Sequence, residues 1–247
     1  MSGTRARLHG GPASPLGPRG VVVFDMDGTL VDDMQGIGTA AARVIHDEFG
    51  TPLDKALIEY YSTTGMPFEV QLRTLYPKQD PQEVHRVARL FHDVKVAEVY
   101  ASAKLFPEVP KLLKDLEDAH WILVVATGAE REMADLIFHR EGVSHFFAEI
   151  MGSGEGTKDR HLREFIRERP DLAHVMVGDA EFDMKAARGV PGFFVIGRAT
   201  TIPGWAITPG HLKRWGADWA DYSLAGLPQV LEKMVPAPVQ KQGDTPR

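Results

Sequence analysis

Apolar positions along this chain follow two rhythms. Val21–Phe24, Ile122–Ala126, Phe146–Met151, His174–Val177 and Phe193–Ile196 are short, nearly continuous runs rich in β-branched and aromatic residues. That is the signature of strands buried on both faces of a parallel sheet. Between and around these runs, apolar residues recur at helical spacing, in Pro107–Ala119, Glu130–Arg140, Asp159–Arg169 and Glu181–Arg188. Strands alternating with short helices predict βαβ units with right-handed crossovers. Residues 34–104 break the alternation, because no strand run interrupts them. There Ile37, Ala41, Val44, Ile45 and Phe49 share a helical stripe that stops at Gly50. Pro81 opens a second stripe through Val84, Val87, Ala88, Phe91 and Val94. An excursion of this length is too long for a plain loop and predicts a subdomain.

The predicted fold is therefore α/β, a Rossmann-like doubly wound parallel sheet with an all-helical insertion after its first strand. Residues 21–32 and 105–235 form the core domain, residues 33–104 the helical cap. Residues 1–20 hold several Gly and Pro and three Arg with no acidic residue, and are expected to be a flexible N-terminal tail. Residues 236–247 are expected to be a flexible C-terminal tail. Trp205, Trp215 and Trp219 are expected to pack or to sit on an edge strand. That reading is preferred to a stacking platform for nucleic acid.

Composition narrows the function classes. The 247 residues are 43 % hydrophobic and 25 % charged, as in an ordinary globular protein. The 28 Lys and Arg against 34 Asp and Glu, net charge −6, exclude the basic balance of a nucleic-acid binder. With no Cys, thiol catalysis is excluded. No secretory signal and no apolar run long enough to cross a bilayer are found, so a cytoplasmic protein without a membrane partner is expected.

Ligands of a parallel α/β sheet bind outside the carboxyl ends of its strands. The first run is followed by Asp25-Met26-Asp27-Gly28-Thr29 and the second by Thr127-Gly128. The third is followed by Gly152-Ser153-Gly154-Glu155-Gly156-Thr157-Lys158, the fourth by Gly178-Asp179-Ala180-Glu181-Phe182-Asp183. Each piece alone has a plain structural reading. Asp27-Gly28 between apolar runs could turn a hairpin, Thr127 or Asp179 could cap a helix, and a lone Lys158 is commonly a solvated surface residue. Their joint order at four successive strand ends points to one site.

In that order the motifs resemble the four motifs of the haloacid dehalogenase superfamily, over about Val21 to Met234. Thr64-Gly65-Met66-Pro67, Leu105-Phe106-Pro107 and Met184-Lys185-Ala186-Ala187 are similar to the phosphoglycolate phosphatase and β-phosphoglucomutase-like branch. The resemblance implies an Mg²⁺-dependent phosphatase that hydrolyses a small phosphorylated metabolite through an aspartyl-phosphate. It implies Asp25 as nucleophile and Asp27 as acid and base. Asp25, Asp179 and the Asp27 backbone carbonyl would bind Mg²⁺, a hard cation suited to oxygen ligands. Thr127, Gly128 and Lys158 would hold the substrate phosphate, with Thr29 and Asp183 in support. An acid at Asp27 favours phosphate over halide, since halide leaves without a proton. Two departures from relatives stand out: Lys158 is followed by Asp159 rather than Pro, and Asp33 stands where Ser is common.

Two other readings remain open, a sugar-phosphate mutase and a non-catalytic phosphate-binding relative. A mutase would need extra basic groups on the cap, whereas residues 33–104 hold eight Lys and Arg against ten Asp and Glu. Arg73 is the cap residue singled out as able to meet substrate. The sequence leaves the oligomeric state and the particular substrate open.

Overall fold

The computed structural model describes residues 17–153 and 156–235. Its strands are β1 (Gly20–Phe24), β2 (Trp121–Ala126), β3 (Phe147–Met151), β4 (Ala173–Gly178) and β5 (Phe193–Arg198). They are followed by β6 (Thr200–Ile202), β7 (Trp205–Ile207) and β8 (Trp219–Asp221). Six strands form one sheet in the order β3-β2-β1-β4-β5-β8, with every pairing parallel. All five residues of β1 are buried, as expected of the central strand of a sheet covered on both faces. Helices α5 (Val109–Asp118), α6 (Arg131–Arg140), α7 (Lys158–Glu168), α8 (Glu181–Arg188), α9 (Pro209–Trp215) and α10 (Leu227–Met234) belong to this core. The chain winds outward from β1 to β3, then jumps back to place β4 on the other side of β1. That reversal makes the β1/β4 carboxyl edge the switch point where such folds bind ligands.

The helical block between β1 and α5 comprises α1 (Met34–Phe49), α2 (Leu53–Ser62), α3 (Phe68–Leu75) and α4 (Pro81–Val94), closed by a π-helical turn, Lys95–Tyr100. Gly50 ends α1 in the left-handed conformation, φ 68°, the use glycine serves at helix ends. Asp80 starts α4 by accepting a hydrogen bond from the Gln82 N–H at 2.7 Å. The chain leaves and rejoins the core through two neighbouring segments tied by backbone bonds, Asp32 N–H to the Lys104 carbonyl (2.8 Å) and Phe106 N–H to the Leu30 carbonyl (3.0 Å). Arg140 of α6 adds bonds to the carbonyls of Tyr100 (2.9 Å), Ala101 (3.0 Å) and Ala103. Farther out, Tyr61 of α2 stacks on Trp205 of β7, centroids 5.2 Å apart and planes 6° from parallel.

The structure departs from the sequence reading in several places. Gly20, assigned to the tail, is the first residue of β1; a side chain there would collide with Trp121 and the Ala173 carbonyl. Arg19 is also fastened, its guanidinium donating to the Val235 carbonyl. The remaining tail residues, 1–16 and 236–247, lie outside the described residues. The Asp27-Gly28 turn makes no hairpin, because β1 pairs only with parallel neighbours. The β6–β7 hairpin, β8, α2 and α3 are short elements that the sequence reading did not resolve. Trp219 does lie on edge strand β8. No helix among the described residues is long and apolar enough to cross a membrane.

Candidate active site

Asp25 stands just past β1, its N–H bonded to the Val177 carbonyl of β4 at 2.8 Å. Phe24 is in register with Val177, so Asp25 and Asp179 emerge side by side at the switch point. Gly28 bends the loop away with φ 74°, and a Cβ there would lie 2.4 Å from an Asp179 carboxylate oxygen. Glycine at 28 is thus required twice, for the left-handed turn and for the close approach.

Lys158, the first residue of α7, ties the groups together. Its ammonium donates to Asp25 Oδ1 at 2.9 Å and to Asp183 Oδ1 at 2.5 Å. The other Asp183 oxygen accepts from the Asp179 and Ala180 N–H groups at 3.2 and 3.1 Å, at the start of α8. Thr29, fully buried, donates to Asp179 Oδ1 at 3.1 Å. Thr127 follows β2, and its hydroxyl accepts from the Ala129 N–H at 3.0 Å. Gly128 lies in the same turn, three residues before α6 begins, so its N–H belongs to the loop rather than to the helix end. Thr127, Gly128 and Lys158 line one cavity with Asp25, Asp27, Asp179 and Asp183.

This floor carries more negative charge than it neutralises internally. Burial, then Asp183 and Asp27, push the Asp25 carboxyl up to about 7 against the opposing pull of Lys158. Asp179 is likewise held well above the usual carboxylate range by burial and by the Asp183 and Asp25 charges. Burial opposes the charge on Lys158, but the Asp183 and Asp25 carboxylates outweigh it and keep the ammonium above its ordinary value. One oxygen each of Asp25, Asp179 and Asp183 lies within 4.8 Å of the others. Hard oxygen donors gathered so closely around a single ammonium fit a small divalent cation. Asp183 spends its oxygens on Lys158 and two backbone N–H groups, which leaves Asp25 and Asp179 as the better placed donors.

Sequence reasoning missed two contributors. Tyr100, buried in the π-helical turn, donates to Asp27 Oδ2 at 2.9 Å. Asp33, noted only as an odd residue, is buried beside Asp27; burial and that neighbouring charge hold its carboxyl well above the usual range. Asp33 had the sequence signal of breaking a motif, whereas Tyr100 had none. Arg73 does not reach the cavity: it is exposed and donates to Glu69 at 2.6 Å on its own helix.

A sequence profile of the haloacid dehalogenase-like hydrolase family matches residues 22–195. A phosphoglycolate phosphatase of Caulobacter vibrioides is 27 % identical over 241 residues, covering 88 % of this chain and 94 % of the relative. The tyrosine-protein kinase PtkA of Mycobacterium tuberculosis is 28 % identical over 192 residues, 75 % of this chain and 62 % of the relative. Among solved structures, a predicted phosphatase from Clostridium acetobutylicum superimposes with a TM-score of 0.71 at 23 % identity, covering 87 % of this chain and 99 % of that one. The chain belongs to the haloacid dehalogenase-like hydrolase family. Within that family it is an enzyme of the phosphatase kind.

Proposed function

We propose that this protein is an Mg²⁺-dependent phosphatase of a small phosphorylated metabolite, working through an aspartyl-phosphate on Asp25. One observation carries the reading: Asp25 lies at the switch point with Lys158 2.9 Å away and two further carboxylates converging beside it. Asp25 and Asp179 would hold the cation through their carboxylates, and Asp27 through its backbone carbonyl. When bound, the cation supplies charge that lets an anionic nucleophile approach a phosphate dianion.

The chain's own residues account for the remaining work. Asp25 attacks phosphorus in line with the leaving alkoxide, forming a carboxylate–phosphorus bond as the ester bond breaks. Asp27 delivers a proton to the departing oxygen, then accepts one from the water that hydrolyses the aspartyl-phosphate. Its side chain is free for this because only its carbonyl is needed as a ligand, and Tyr100 fixes its direction. Thr127 and the Gly128 N–H receive phosphate oxygens, and Lys158 offsets charge beside the nucleophile. Thr29 and Asp183 hold Asp179 and Lys158 in place. The helical insertion acts as a cap, consistent with a small substrate that is enclosed during reaction.

The test is release of inorganic phosphate by the purified full chain from a phosphomonoester panel, with Mg²⁺ and with chelator. Full turnover by Asp25→Asn would overturn the mechanism. Because one relative is named a kinase, the same samples should be followed for phosphate appearing on another acceptor. An isomerised sugar phosphate without phosphate release would indicate a mutase instead.

A further inference from the structure

The cavity encloses about 330 Å³, the small end of ligand pockets, and its two sides differ in kind. The core side presents the carboxylates, Thr127 and Lys158. The side built by the insertion presents Ile37, Tyr60, Met66, Phe68 and Phe91, with Phe182 of α8 closing the rim. The Phe68 and Phe91 rings lie 4.1 Å apart by centroid, with Tyr60 at 6.1 and 6.2 Å from them.

The Gln71 and Thr64 side chains of this roof are already engaged. The Gln71 amide accepts from the Thr63 hydroxyl at 2.9 Å and donates to the Met66 carbonyl at 2.8 Å. The Thr64 hydroxyl donates to the Tyr60 carbonyl at 3.3 Å. Lys95 is the one fully charged roof residue among those described as lining the cavity. Its ammonium lies over the rings of Tyr100 (4.8 Å) and Phe91 (5.9 Å), and its charge is exerted on Asp33. Three of the insertion's arginines, Arg43, Arg73 and Arg86, are spent on surface ion pairs with Glu98, Glu69 and Glu83. A leaving group bearing a carboxylate or several hydroxyls would lose water there and find few replacement partners. An apolar body would gain by burial.

Resting on the phosphatase reading above, the geometry points to a substrate class: phosphomonoesters whose leaving group is an apolar body the size of an aromatic ring. A glycolate or a polyhydroxylated sugar does not match this roof.

The deciding comparison uses alcohols of similar leaving ability. The full chain with Mg²⁺ is assayed on 2-phenylethyl phosphate, ethyl phosphate, 2-phosphoglycolate and glucose 6-phosphate. The expected kcat/KM for the phenylethyl ester is at least about tenfold above each of the others, since even one methylene in an apolar pocket is worth about that much. Phe68→Leu should shrink the phenylethyl-to-ethyl ratio at least about threefold. A higher kcat/KM for phosphoglycolate or the sugar phosphate, or equal values for the two alkyl esters, overturns the inference while leaving the phosphatase reading intact. Binding is measured in parallel with 3-phenylpropylphosphonate against propylphosphonate, which cannot be hydrolysed. If no ester is turned over, the phosphatase reading falls, and this calorimetric comparison still decides the roof's preference. Tighter binding of the phenyl compound supports it, and equal binding overturns it.

Discussion

The floor and the roof of one cavity are built by opposite rules. The floor gathers Asp25, Asp27, Asp179, Asp183 and Lys158 from the ends of three parallel strands and the start of the following helices. Its charges press on one another, so that Asp25 and Asp179 are held above their ordinary values. The roof comes from an insertion whose rings pack together and whose Gln71 and Thr64 side chains are spent internally. These crowded carboxylates fit a divalent cation, which the proposed function pairs with a substrate phosphate. Under the substrate inference above, the roof would select by shape and apolar contact. The two pieces of chain meet at the Tyr100–Asp27 hydrogen bond and the Tyr61–Trp205 stack.

The contrast predicts which substitutions hurt and how. Asp25→Asn should lower phosphate release at least about a thousandfold, as loss of a nucleophile does. It should also raise the melting temperature of the metal-free protein at pH 8, because it removes a buried charge. Calorimetry with and without chelator checks the second effect; a lower melting temperature would contradict the picture of a strained floor.

Lys158→Met should cost about 3–5 kcal/mol of stability at pH 7.5, since it strands Asp25 and Asp183 as buried carboxylates. Urea titration measures this loss. A comparable change on the solvated side of the insertion, Arg73→Met, should cost less than about 1 kcal/mol.

The pH response of the metal-free protein follows from Asp25. Its carboxyl holds a proton up to about 7 in the folded state but releases it near 3.8 once unfolded. The folded state therefore binds more protons between those values, and stability falls as pH rises through that window; Asp25 contributes about 4 kcal/mol, and the raised Asp179 and Asp33 carboxyls act in the same direction. Urea titrations at pH 5 and pH 8 should show the fall, and Mg²⁺ at pH 8 should reverse it. His174, buried near the amino end of β4, the end away from Asp179, supplies the opposite sign. Burial holds its pKa below the ordinary value. The unfolded state thus binds more protons, and stability is lost as pH drops below about 6.5. His174→Gln should flatten that acidic limb.

At the junction of floor and roof, Tyr100→Phe should lower kcat about tenfold with little change in KM. It removes one hydrogen bond to a charged group, worth about 1.5 kcal/mol, while leaving the roof's shape intact. A rise in KM without a fall in kcat would instead mean that Tyr100 serves binding.

Much of the floor could be read from the chain because a parallel sheet delivers its strand ends to one edge. Once Val21–Phe24 and His174–Val177 are strands, Asp25 and Asp179 have little choice but to meet, and the buried Thr29 and glycine at 28 follow from their closeness. The roof was legible only in outline. Helical spacing announced α1 and α4, but the shorter helices α2 and α3 and the π-helical turn were not resolved from it. Arg73 illustrates the failure: its neighbourhood in sequence suggested the cavity, yet its helix turns it outward to Glu69. The β6–β7 hairpin and β8, three residues per strand, are likewise set by packing against elements distant in sequence.

Local rules thus determined the class of fold, the run of strand-end motifs and the chemistry those side chains can perform. Period, turn residues and side-chain type act over a few residues and survive any tertiary arrangement. What tertiary structure alone decided is which rings face the carboxylates across the cavity, that Tyr100 donates to Asp27, and that Asp33 is buried beside it. Each depends on how one helix rotates against another, and helix rotation is settled by packing across the whole interface rather than by the residue concerned.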